Sequence, residues 1–399
     1  MTDPVISVAR RMLDIRRKDW DALAAPAGTP LLSWGFLALL EESGSVRPET
    51  GWTPAHVLLR DEKTGRPAAA APFYVRGDSW GEFVFDQGFA RAAERAGHRW
   101  YPKLSGVVPV TPAPAWRVLT AAGREDEGQG AAGWAGRLLD AAEDLAREAG
   151  LAGVHVLWPE GAAAGLLGDR PGWKAWEHQA FLWTDKGYGD FRGWLDSFSK
   201  NMRRNVLRER AALAASGVRT RIVGAREAAA EPGLLALLAD LYEAHNDRFG
   251  PWAARFLTRD FFLRLPEFLP DGWLLGRADR GGQTVGLSFL FEGRDRLYGR
   301  YYGASEEIPF LHFELCYYLP VEYALARGLR SFDPGMGGEH KARRGFRSYT
   351  TPSFHRTFAR PVARFLEGIL PELGREEADA AAALNGDLPY KRCSGRGQA

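Results

Sequence analysis

The sequence predicts a duplicated α/β (α+β) protein with mixed sheets and flanking helices. Hairpin, strand, helix and strand follow one another in the same order in both halves. The run Leu145–Val156 (LAREAGLAGVHV) matches Tyr323–Asp333 (YALARGLRSFD) in character: helix, glycine, buried strand. The two runs lie roughly 175 residues apart, far too long a period for a solenoid. At 399 residues the chain is long for one core, and two domains of about 150–200 residues are expected. The boundaries are placed at 1–180 and 181–373, with a charged tail at 374–399.

Composition narrows the class. Hydrophobic content of 45% and charged content of 26% describe an ordinary globular protein. The net charge of +2 leaves nucleic-acid binding to a local patch. Two cysteines, Cys316 and Cys393, exclude a disulfide framework and any multi-cysteine metal site. No window approaches a membrane span and the N-terminus has no signal-like apolar run, so a cytoplasmic protein is expected.

In the first half, Leu31–Glu42 is a helix with Ser33 as cap. His56–Arg60 and Ala68–Val75 form a hairpin, Phe83–Phe85 and Val107–Val110 are further strands, and Pro109, Pro112 and Pro114 keep the chain extended. Gly133–Ala149 is a helix before the strand Val154–Trp158. In the second half, Phe191–Ser216 is one long helical segment, then come a strand at Val218–Val223 and helices at Leu234–Phe249 and Arg259–Leu265. Trp273–Arg277 and Val285–Glu292 pair around Gly281-Gly282.

The stretch Arg296–Phe346 is where the chemistry is expected. Leu297, Tyr298, Tyr301 and Tyr302 suit a half-buried strand. Leu311, Leu315, Tyr318, Val321 and Leu325 recur at helical spacing, with Pro320 expected to kink or split the helix. Gly328 ends it, Leu329–Phe332 is a buried strand, and Asp333-Pro334-Gly335 breaks that strand. Glu339, His340, Lys341, Arg343 and Arg344 then stand among Gly337, Gly338 and Gly345. A Gly-rich turn after a buried strand, carrying so many titratable groups, is a place for a site.

Several blocks resemble the FemAB aminoacyltransferases. Ser199–Val206 (SKNMRRNV), ending in Ala214–Val218 (AASGV), resembles that group's basic helix before a Gly-Val strand start. His340-Lys341 with Gly345-Phe346 is similar to its late Phe-Lys…Gly-Phe motif. Gly81–Asp86 (GEFVFD), Tyr101–Leu104 (YPKL) with Val108–Pro112 (VPVTP), and Leu311–Tyr318 (LHFELCYY) resemble the FemAB-related predicted N-acyltransferases more closely. The resemblance spans roughly residues 50–370. It implies two tandem GNAT-like domains, the acyl-CoA N-acyltransferase fold, and transfer of an acyl group to an amine. Phe181–Thr184 (FLWT) lacks the histidine and asparagine expected there in the family, which points to a specialised role such as making a small-molecule metabolite.

Acyl transfer to an amine needs charge stabilisation for the oxyanion and removal of the amine proton. Lys341 is the expected oxyanion partner, from its place in the turn and from the family's lysine there; the alternative is a surface lysine in a basic run. His340 is the expected proton acceptor or a ring that stacks on the donor, and Glu339 is the alternative base. Tyr301, His312, Glu314 and Asp333 are candidates for the cleft wall, and resemblance alone adds Tyr101 and Lys103 as acceptor-binding residues. Lys200, Arg204 and Arg208 share one row of a helix, with Arg203 nearby. Either this is a solvated face, or with Arg343 and Arg344 it contacts tRNA phosphates. No metal site is expected.

Neither Thr111–Arg117 nor Ala304–Phe310 has the glycines of the GNAT pyrophosphate loop. This favours aminoacyl-tRNA as donor over acetyl-CoA, with no cofactor. Acyl-CoA or a carrier-protein thioester is the alternative donor. The expected acceptor is a small molecule, a peptidoglycan precursor or a carrier-bound amine. A reading from another class is a non-catalytic module that binds cell-wall precursors or RNA.

Overall fold

The structure, a computed structural model, describes residues 5–62, 65–120, 133–250 and 254–391. Cys393 and the frayed end expected at Ser394–Ala399 lie outside the described residues. The strands in chain order are β1 Val5–Ala9, β2 Trp52–Pro54, β3 His56–Arg60, β4 Pro67–Ala71, β5 Phe73–Arg76, β6 Lys103–Gly106, β7 Leu119–Thr120 and β8 Gly153–Val156. They continue with β9 Lys174–Thr184, β10 Arg219–Gly224, β11 Trp273–Arg280, β12 Gln283–Glu292, β13 Arg296–Ala304, β14 Ser331–Asp333 and β15 Arg347–Thr357.

Two compact units can be told apart. The first comprises Met1–His178, Ala254–Pro270 and Thr350–Ala378. It holds a small antiparallel sheet in the order β1-β3-β4-β7, and a second run in the order β2-β5-β6-β8-β15. Within that run β6 and β8 are parallel and the other neighbours antiparallel. The Trp34–Glu42 helix begins where expected, because the Ser33 hydroxyl accepts the Phe36 N–H at 3.2 Å. The Trp134–Glu148 helix ends at Gly150, which takes the left-handed conformation at φ 66°, and leads to β8.

The second unit comprises Gln179–Ala253, Asp271–Tyr349 and Asp379–Ala399. Strands β10 to β13 form an antiparallel meander, and β14 returns parallel to β13. The helix Leu234–Asp247 lies so close on β13 that a Cβ at Gly303 would stand 2.3 Å from the Leu241 carbonyl oxygen. A glycine is therefore needed there. Phe181, Trp183, Trp194, Phe198, Phe332 and Phe346 form an aromatic core in this unit. Each unit thus repeats strand, helix, glycine and parallel strand, with Gly328 at φ 67° as the counterpart of Gly150.

Four expected elements differ. Ala68–Val75 is two strands, not one: Pro72 has no N–H for the ladder, its carbonyl accepts the Trp116 indole at 3.0 Å, and β4 and β5 enter different sheets. Phe83–Phe85 and Val107–Val110 form no strand, since Phe83 and Val110 are left-handed at φ 57° and 49°. The segment Phe191–Ser216 is two helices, Phe191–Asp196 and Lys200–Ala215. Ser199 between them is extended, and its N–H bonds the Pro389 carbonyl at 2.7 Å rather than a helical turn.

Candidate functional site

The helix after β13 starts at Leu311 and runs to Ala326, but Glu314–Tyr318 is wound as a π-helix. Pro320 gives the reason. In this wide turn the Leu319 N–H bonds the Glu314 carbonyl five residues back, and the next residue, Pro320, has no N–H to offer Leu315. The Ser288 hydroxyl from β12 donates to the Leu315 carbonyl instead, at 2.8 Å. Gly276, its cross-strand partner, leaves room, since a Cβ there would lie 2.3 Å from the Ser288 oxygen. The helical winding therefore continues through Pro320 rather than splitting there, with one turn widened ahead of it. Ser288→Ala should cost about 1–3 kcal/mol, because a buried carbonyl loses its donor; chemical denaturation with an unchanged midpoint would refute this assignment.

The wide turn presents Cys316 and Tyr317 to a cavity of about 660 Å³. Its opposite walls come from two segments that part company. β13 and β14 pair only at Arg296–Ser331, Leu297–Phe332 and Tyr298–Asp333. Beyond that, Gly299–Tyr302 lines the cavity from β13, and Pro334, Met336, Gly337, Gly338, His340 and Lys341 line it from the segment after β14. A crevice past the carboxyl ends of neighbouring parallel strands is where α/β sheets bind ligands. In the first unit the corresponding ends stay closed: the Leu157 N–H bonds the Gly106 carbonyl at 2.8 Å, and Trp116 and Trp158 are buried beside it.

Lys341 is buried, at 4% exposure, in the 3₁₀ helix Glu339–Arg344 after the glycine turn. Its ammonium donates to the Gly335 and Met336 carbonyls at 2.8 and 3.0 Å. Burial brings its pKa down to about 8, against the pull of Asp333 and Cys316. Asp333 is buried behind it, accepts the Gly335 N–H at 2.8 Å, and is pushed up by burial. Gly338 sits at φ 87°, and a Cβ there would meet the His340 ring at 2.6 Å, so this residue lets the ring fold back.

His340 Nε2 and the Tyr317 hydroxyl are 2.8 Å apart. The His312 ring lies 5.8 Å from His340 and 5.0 Å from Tyr302. Both histidines are brought down to about 4, first by burial; Arg344 and Lys341 add to this for His340, and neighbouring His340 and His245 for His312. Both rings are therefore neutral at pH 7. Arg344 stacks 3.3 Å over Phe313 and donates to the His340 carbonyl at 3.1 Å, which fixes the turn.

The FemAB-like family, described as peptidoglycan biosynthesis/recognition, matches this chain over residues 11–392. The chain belongs to the FemAB-like family. No curated protein sequence matches it. Among solved structures, the C-terminal domain of a protein assigned as a lysylphosphatidylglycerol synthetase from Agrobacterium fabrum is similar at 11% identity and TM-score 0.53, covering 94% of this chain and 98% of that one. FemX is similar at 12% identity and TM-score 0.51, covering 88% and 98%. A conserved protein of unknown function from Bacteroides thetaiotaomicron gives 11% and 0.52, covering 88% and 100%. The mixed α/β architecture of sheets with flanking helices is thus a fold that this chain shares with FemX. Among the described residues no helix is long and apolar enough to cross a membrane.

Of the residues singled out in this FemAB-like sequence, Tyr301, His312, His340 and Lys341 meet at the cavity. Glu339 is exposed and does not line it. Glu314 is buried and turned to Arg210, which holds it through two hydrogen bonds at 2.8 and 2.9 Å. Tyr101 and Lys103 belong to the first unit. There the Lys103 ammonium is fully buried between Glu82 at 2.7 Å and Asp86 at 2.6 Å, and the Tyr101 hydroxyl donates to Asp86. Lys200, Arg204 and Arg208 are exposed on one helix, and Arg203 pairs with Asp196 at 2.7 Å. Arg343 is exposed beside Asp387 at 3.4 Å, whereas Arg344 is turned inward and does not join that surface.

Sequence reasoning missed Tyr242, His245, Arg300 and Tyr317 in the wall. Tyr317 was readable only as helix packing, because an α-helical wheel misplaces a residue inside a π turn. No metal-binding group of His, Cys, Asp and Glu occurs among the described residues. Cys316, pushed up to about 12 by burial, is no ready nucleophile.

Proposed function

We propose that the chain moves an aminoacyl group from aminoacyl-tRNA to an amine, with the chemistry in the cavity of the second unit. The observation that carries this reading is a buried lysine ammonium in the crevice, held by backbone carbonyls, beside a tyrosine–histidine hydrogen bond. The amine nitrogen attacks the ester carbonyl, a C–N bond forms, and the bond to the ribose oxygen breaks. Lys341 steadies the negative oxygen of the tetrahedral intermediate. His340 takes the amine proton, while Tyr317 protonates the departing ribose oxygen and is restored through its hydrogen bond to His340. Proton and electron counts then close without a metal or redox partner. The cavity holds His340 as a weak base, and any anion entering it strengthens that base.

The exposed row Lys200, Arg204 and Arg208 supports a nucleic-acid partner through phosphate contacts. The test is transfer from a total charged-tRNA pool to amines of a cell extract, with and without ribonuclease. Ribonuclease treatment should abolish product. Product that survives it would move the donor to acyl-CoA or a carrier thioester.

A further inference from the structure

The groups that carry the proposed chemistry sit on two separate pieces of chain. Tyr317 stands on the wide turn, whereas His340 and Lys341 stand on the 3₁₀ turn. The hydrogen bond between Tyr317 and His340 spans the two. Neither turn belongs to a strand, so sheet pairing does not set their spacing. A brace for both stands behind them, on the helix Lys200–Ala215.

Consecutive residues of that helix take hold. Arg210 donates to Glu314, the first residue of the wide turn, at 2.8 and 2.9 Å, and to Glu322 in the helix beyond it at 2.7 Å. Glu209 reaches further, because its two oxygens go to different pieces. One accepts the hydroxyl of Tyr318, the last residue of the wide turn, at 2.6 Å. The other stands 3.6 Å from the guanidinium of Arg344 in the 3₁₀ turn. Arg344 in turn donates to the His340 carbonyl and lies over the Phe313 ring. Glu209, Tyr318 and Arg344 all lie outside the cavity lining, so none of them meets a substrate there. The Glu209 and Arg344 side chains are only 13% and 10% exposed. A cation that deep shifts when its counter-ion is removed, and Arg344 would carry the His340 backbone with it.

We propose that Glu209 is a positioning residue: it braces the wide turn against the 3₁₀ turn and so holds Tyr317 at hydrogen-bond distance from His340. For its effect on turnover the assignment rests on the transfer reading; for the geometry it does not. Glu209→Gln keeps the length and an acceptor for Tyr318 but removes the charge that holds Arg344. It should lower kcat by about 10–10²-fold, the effect of a displacement near an ångström, with KM unchanged. Tyr318→Phe, which leaves the ion pair, should lower kcat less. The two changes together should lose less than the product of the separate losses, because both cut the same brace.

Cys316 reports the geometry without any substrate. It lines the cavity from the wide turn and is pushed up to about 12 by burial, so iodoacetamide should modify it slowly in the wild-type protein. Peptide mass mapping scores it apart from Cys393. Glu209→Gln should speed that modification about tenfold by easing local opening of the turn. In a folded Glu209→Gln protein, wild-type kcat, a loss confined to KM, or unchanged modification of Cys316 overturns the proposal. Should that variant not fold, Tyr318→Phe decides by the same readings. Faster Cys316 modification in a protein whose wild type shows no transfer from any charged tRNA would remove the transfer reading and leave the brace standing.

Discussion

Lys341→Met is expected to lower turnover on the order of 10²–10³-fold, the effect of removing one oxyanion donor, while the fold stays intact. Methionine fills a similar volume in a site that is already buried. The pH profile gives a second readout. The ammonium has been brought down to about 8 by burial, so its positive charge fades as pH rises through that value. Wild-type rates should therefore fall above pH 8, and the residual rate of the variant should lack that limb. Stability moves the other way. A lysine whose folded pKa lies below its unfolded one binds its proton less tightly when folded, so its burial penalty is present below about pH 8 and is relieved toward 10.5. Wild-type turnover in a variant with native circular dichroism would remove Lys341 from the chemistry.

Lys103→Met should destabilise the protein by about 3–5 kcal/mol, because it strands buried carboxylates without their cation. Glu82, Asp86 and Lys103 are all fully buried, and Arg76 stands 3.4 Å from Glu82. The Ser105 hydroxyl donates to Glu82 at 2.8 Å and the Trp100 indole to Asp86 at 2.8 Å. Burial raises Glu82, with Lys103 pulling against it; burial pushes Asp86 up as well, but the charge and hydrogen bond of Lys103 together with the hydrogen bonds from Tyr101 and Trp100 hold it lowered. Asp86 therefore contributes stability that is present above its unfolded pKa and is lost as pH falls through the lower folded one. In the variant the deficit should shrink on acidification, since a protonated carboxyl needs no partner. Adding Glu82→Gln should restore part of the loss in urea unfolding. A change under about 1 kcal/mol, together with a raised KM, would return Lys103 to the acceptor-binding role that resemblance suggests.

The order of elements was legible because apolar periodicity and glycine placement are local signals. Gly150, Gly328 and the Gly281-Gly282 turn each stand where the chain takes positive φ. His340 and Lys341 were found because they come after a strand that Asp333-Pro334-Gly335 must end. Arg300 could not be found that way. Its place in the cavity wall depends on the register between β12 and β13, which only tertiary pairing sets. The basic cluster misled for the same reason: Arg343 and Arg344 are neighbours in sequence, yet one faces solvent and the other stacks on Phe313. The break at Ser197–Ser199 was hidden because the Ser199 N–H is met by Pro389, far along the chain.

The wide turn at Glu314–Tyr318 means that part of this cavity is specified by chain length rather than by side-chain identity. Deleting a single residue there would rewind the helix to ordinary pitch, keep the helix on either side in register, and remove the wide turn that presents Cys316 and Tyr317 to the cavity. Residue-by-residue truncation to alanine would leave that spacing untouched and pass over it, so shortening the backbone by one position, with no side chain of the wall exchanged, is the change that exposes how much the site owes to its extra link.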